Sequence, residues 1–85
     1  MALIIRDVRG IPLWLLREYL EELGGVAAGD EVVAAPGWRV QLRRLEPFRL
    51  GSLAVGQVRL EMELDDQVAD DFLERFAKKT LRAGA

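Results

Sequence analysis

The sequence predicts an α+β domain: a mixed or antiparallel sheet of four to five strands with two helices packed on one face. Three observations carry this. From Ala54 to Leu64, apolar and polar residues alternate over a run that suits an antiparallel strand with one wet face. Leu13, Leu16, Leu20 and Leu23, and later Val68, Phe72 and Phe76, recur at helical spacing. The predicted order is β-α-β-β-β-α, with room for one more strand before the second helix.

The elements follow along the chain. Leu3 to Val8 is apolar and β-branched, so it reads as a strand. Leu3 and Ile5 lie on one side and Ile4 on the other, which suggests a well-covered, central strand. Pro12 suits the first turn of a helix, where its missing N–H costs nothing. Gly24-Gly25 ends that helix, because glycine accepts the left-handed cap. Val26 to Ala35 supports either one strand or two, with a turn or bulge at Gly29-Asp30. Pro36-Gly37 suits the centre of a type II turn. Trp38, Val40 and Leu42 then alternate with Arg39, Gln41 and Arg43, so Trp38 is expected in the core. Glu46-Pro47 is expected to break this strand, with Phe48 to Leu50 a short extension.

In the next strand Ala54, Gly56, Val58, Leu60, Met62 and Leu64 share one face. Gln57, Arg59, Glu61 and Glu63 share the other, and Val55 departs from the pattern. Asp65 or Asp66 is expected to cap the second helix. Its acids come first and its bases Arg75, Lys78, Lys79 and Arg82 last, which complements the helix dipole; Gly84 falls past its end.

The chain has 85 residues, 51% of them hydrophobic and 31% charged, so a single domain over residues 1–85 has a real core and a charged surface. It contains no Cys and no His. That excludes disulfides, a thiolate zinc site, imidazole bases and any Ser-His-Asp or Cys-His machine within the chain. It also has no Asn, and its bases are mostly Arg, which fits selection for heat or a GC-rich genome. The net charge of −2 provides no global field for nucleic acid. The longest apolar runs, Ala2 to Ile5 and Leu13 to Leu16, are too short for a membrane span or signal peptide, so the expected location is the cytoplasm.

No catalytic, cofactor-binding or metal-binding residue is indicated, and the sequence calls for no cofactor. Gly51 and Gly56 have phosphate-loop spacing, but Gln57-Val58 stands where Lys and Ser/Thr belong. Surplus apolar residues Ile11, Trp14, Leu15 and Tyr19 form a candidate oligomer surface, since a small monomer rarely exposes a large apolar patch. A homodimer is the economical cover. The leading functional reading is therefore a non-catalytic, homo-oligomeric protein-interaction module. One alternative is nucleic-acid binding through an arginine face of Arg39, Arg43 and Arg59. Another is a carboxylate- or metal-dependent enzyme using Glu61, Glu63 or Asp7.

Two resemblances bear on this. The helix–strands–helix order resembles the double-stranded-RNA-binding domain in topology, although helix one is acidic and the family's basic loop is absent. Arg44-Leu45-Glu46-Pro47-Phe48, Gly56-Gln57-Val58-Arg59-Leu60-Glu61 and the ending Leu81-Arg82-Ala83-Gly84 are similar to a family of small uncharacterised proteins from Thermus-like thermophilic bacteria, classed as a domain of unknown function. That resemblance implies a compact α+β domain and supplies no functional residue.

Overall fold

The computed structural model describes residues 1–84, with side chains through residue 81. The elements are β1 (Ala2–Arg9), α1 (Leu13–Glu22), β2 (Val26–Ala27), β3 (Val32–Ala35), β4 (Trp38–Leu50), β5 (Leu53–Leu64) and α2 (Ala69–Gly84). The five strands form one sheet in the order β1-β5-β4-β3-β2, and every neighbouring pair is antiparallel. The α+β class, the element order and the two helices on one face are as expected.

The alternation in β5 sets the layers. Val58, Leu60, Met62 and Leu64 point to one face, joined there by Val40, Leu42 and Trp38 of β4 and Val33 of β3. Leu13, Leu16 and Leu20 of α1, with Leu23 just after it, close that face together with Phe72 and Phe76 of α2. Trp38 packs on Phe72 with ring centroids 4.8 Å apart, so the strand and second helix meet through a tilted aromatic pair. Among the described residues no polar or charged side chain is buried, so this core is held by apolar burial alone.

Helix ends follow local chemistry. The Gly25 N–H donates to the Leu20 carbonyl at 3.1 Å and the Gly24 N–H to the Glu21 carbonyl at 3.0 Å, with Gly24 at φ +102°. This is the Schellman arrangement, and it needs the left-handed residue that glycine supplies. Gly37 reaches φ +94° in the two-residue link between β3 and β4, as Pro-Gly in a type II turn requires.

Several expectations are corrected. β1 is an edge strand, not a central one: it pairs with β5 alone. Its two-sided apolar character is met on one side by the core, where Ile4 and Val8 pack, while Leu3 and Ile5 stay exposed on the other. Glu46-Pro47 does not end β4; it falls in an irregularity between Leu45 and Phe48, after which pairing with β5 resumes at Phe48–Val55. A bulge absorbs the proline, which has no N–H to give the ladder. Val26 to Ala35 forms two strands separated by a bend. Asp65 does not cap α2 directly: its carboxylate accepts from the Gln67 N–H at 3.2 Å, in a turn that precedes the helix. α2 continues through Gly84 instead of stopping before it. The side chain of Arg82 lies outside the described residues.

Two substitutions test this packing by urea unfolding. Leu60→Ala, at a fully buried position, is expected to cost about 2–5 kcal/mol. A Cβ at Gly25 would run into Val33 and Trp38, so Gly25→Ala is expected to cost about 1–3 kcal/mol through overpacking.

Candidate interaction surface

Both helices cover the same side of the sheet, so its other side is open. Odd-numbered residues of β1 and β5 populate it, because side chains alternate along a strand and directly opposed residues share a face. The cross-strand rows are Leu3–Glu63–Arg39, Ile5–Glu61–Gln41 and Asp7–Arg59–Arg43, followed by Arg9–Gln57–Leu45. Charged residues fill the middle, while Leu3 and Ile5 line the β1 edge at 64% and 58% exposure.

The charges are matched in pairs. Arg59 donates to both carboxylate oxygens of Asp7, Nε at 2.9 Å and an Nη at 3.3 Å. Arg39 lies 3.7 Å from Glu63, and Arg43 lies 4.0 Å from Glu61. The Arg59 hydrogen bond, aided by the charges of Arg59 and Arg9, outweighs desolvation and holds the Asp7 carboxyl below the ordinary carboxylate range. The same pairing raises the Arg59 guanidinium.

The structure thus brings Arg39, Arg43 and Arg59 together on one face, as the alternation implies, but each has a carboxylate within 4.0 Å. Asp7, Glu61 and Glu63 are the acids of those same pairs. Among the described residues no three acidic side chains converge as metal ligands would. The helix-surface pairs Asp71–Arg75 and Glu74–Lys78 also form, at 3.8 and 3.3 Å.

The four residues of the sequence-derived apolar surface are not placed alike. Ile11 belongs to the core, at 5% exposure, and so drops out of any surface. Leu15 and Tyr19 are half-buried against that core. Trp14 stands out, at 55% exposure, beside Arg17 and Arg44.

Sequence reading missed a second apolar region. β4 and β5 run past the end of β1 as a two-stranded arm, consistent with a molecule 43 Å long and 21 Å at its narrowest. Phe48 pairs with Val55, and Leu50 with Leu53, at the tip. The Arg9 guanidinium lies 3.8 Å over the Phe48 ring and anchors the arm to β1 by a cation–π contact. The anomalous Val55 was the available signal: its parity puts it on the open face, not with Val58.

The clefts are shallow grooves. One runs between β1 and α2, past Arg6, Val8, Phe76, Thr80 and Leu81. Another is lined by Arg17, Asp30, Glu31 and Arg44 beside Trp14, and a third by Glu22, Arg75, Lys78 and Lys79. No described helix is long and apolar enough to cross a membrane.

The Asp7–Arg59 pair makes a pH prediction. A carboxyl with a lowered native pKa contributes stability above its unfolded pKa, near 3.8, and loses it as pH falls through the native value. Asp7→Asn is expected to be less stable than the parent at pH 7, with the two converging at the acid end. Thermal melts from pH 7 to 2 read this out, and a pH-independent gap counts against it.

No curated protein matches the chain. The model of the family described as archaeal MoaD-like protein matches residues 4–85, nearly the whole chain. The chain therefore belongs to the archaeal MoaD-like protein family.

Proposed function

We propose that the protein is a non-catalytic interaction module that works by docking and by self-association as a homodimer, in the cytoplasm. The observation that carries this reading is the pair Leu3 and Ile5, both more than half exposed beside the unpaired edge of an otherwise well-packed domain. Aliphatic side chains beside a free strand edge favour contact with another chain over contact with water. Trp14, on the same helix as half-buried Leu15 and Tyr19, offers a second contact on the helical side.

Membership of a MoaD-like family supports a small, sulfur-carrier-type domain that acts through partner proteins. The chain has no Cys, which excludes only thiol-borne cargo; the proposal concerns docking. The arm, with Leu50 and Leu53 at its tip, is the surface we assign to a different protein partner.

Sedimentation equilibrium at micromolar to millimolar concentration tests the self-association. The expected result is a mean mass rising from one chain towards two; a constant single-chain mass removes that part of the proposal. Arg39, Arg43 and Arg59 are already neutralised by acids, so anisotropy titration with single- and double-stranded nucleic acid at low salt is expected to show no binding.

A further inference from the structure

We infer that the free edge of β1 pairs with β1 of a second copy, antiparallel about a twofold axis at Ile4, joining two five-stranded sheets into one of ten strands. This rests on the self-association proposed above and specifies where it occurs.

The backbone provides the template. The Gly10 N–H donates to the directly opposed Gly56 carbonyl at 3.0 Å. In an antiparallel ladder, the residues whose N–H and C=O point to the partner alternate. Even residues of β1 therefore address β5, and the N–H and C=O of Leu3, Ile5, Asp7 and Arg9 address the free edge. Natural edges are blunted by proline, a bulge, charged side chains or a covering helix. β1 contains no Pro, its register with β5 is unbroken over eight residues, and its charges Arg6, Asp7 and Arg9 all follow the aliphatic run Ala2–Ile5. The sheet's other edge, β2, has only two residues.

Side chains select both the occupant and the register. A twofold axis normal to the sheet keeps both open faces on one side, so odd residues oppose odd. With the axis at Ile4, Leu3 of each copy faces Ile5 of the other. Four exposed aliphatics then form one patch, and Arg6 faces Ala2. An axis at Ile5 would set Leu3 against Asp7, which Arg59 already holds. An axis at Arg6 would oppose two guanidinium groups, which is unfavourable.

Charge complementarity points to a second copy as the occupant. Among the described residues no carboxylate lies within 4.0 Å of Arg6. At the Ala2 end of β1, exposed Asp66 meets the Met1 amino group at 3.4 Å, an exposed pair whose carboxylate a second cation can join. The Ile4 axis carries Arg6 of each copy to that corner of the other, twice by symmetry. On the helical side Leu81, also exposed, borders the groove beside the same edge.

The absence of native Cys makes the register directly testable. In Ile4→Cys the two thiols lie on a non-hydrogen-bonded pair with Cα atoms about 4.5 Å apart, within disulfide reach. In Ile5→Cys they are diagonal neighbours about 7–8 Å apart, beyond it. Under mild oxidation Ile4→Cys is expected to give a linked dimer on a non-reducing gel, and Ile5→Cys to stay single. Arg6→Glu is expected to weaken the dimer several-fold in sedimentation, and Arg6→Glu with Asp66→Arg to restore it. Leu3→Lys with Ile5→Lys alters only exposed side chains and is expected to give a folded monomer, checked by its melting curve. A parent protein that stays monomeric at millimolar concentration overturns both this inference and the self-association beneath it. A dimer that survives Leu3→Lys/Ile5→Lys, or that links through Cys at position 5 but not at 4, overturns the β1 pairing and leaves self-association standing.

Discussion

The pairing of β4 with β5 is the constraint on which the rest of the molecule depends. These are the longest strands, and Val40 and Leu42 oppose Met62 and Leu60 in their shared register. A slip of one residue would turn Leu60 and Met62 to the wet side and Arg59 and Glu61 into the apolar core. Every other element is placed by that register. α1 and α2 cover the face it makes apolar, β1 joins through β5, and β3 joins through β4.

The same register creates the open face. With both helices on one side, the other is left to residues that must tolerate water. Its centre tolerates water through ion pairs, Asp7–Arg59 being the closest. Such pairs contribute little individually, because side-chain entropy and screening offset most of the attraction. Their effect is on specificity. Neutralised arginines make a poor nucleic-acid surface, and acids already paired make poor metal ligands. The apolar residues at the β1 edge and the arm tip have no such local partner, and they give the surface its capacity to dock.

Different parts of this surface were legible to different degrees. The opposition of Arg39 and Arg43 to Glu61 and Glu63 could be anticipated, because strand parity is a local property, whereas Asp7 meets Arg59 only because β1 lies beside β5. The exposure of Leu3 and Ile5 could not. An apolar run such as Leu3-Ile4-Ile5 reads as a buried strand, and only the strand order shows that one flank is bare. Ile11 erred in the other direction. It adjoins the helical stripe without belonging to it, yet the turn from β1 into α1 carries it into the core. Proline lacks an N–H, so Pro47 reads as a strand terminator. The bulge shows how a ladder can continue past it.

The sequence by itself determined the class, the order of the main elements and most of the core. These depend on periods of 2 and 3.6 and on glycine and proline chemistry, all properties of neighbouring residues. It also excluded imidazole and thiol chemistry by lacking those side chains. Tertiary structure alone decided that β1 lies at an edge, that the arm projects beyond it, and that apolar residues distant in the chain border one open face. Strand order depends on contacts between residues far apart in sequence, and local alternation carries no record of which strand lies outermost.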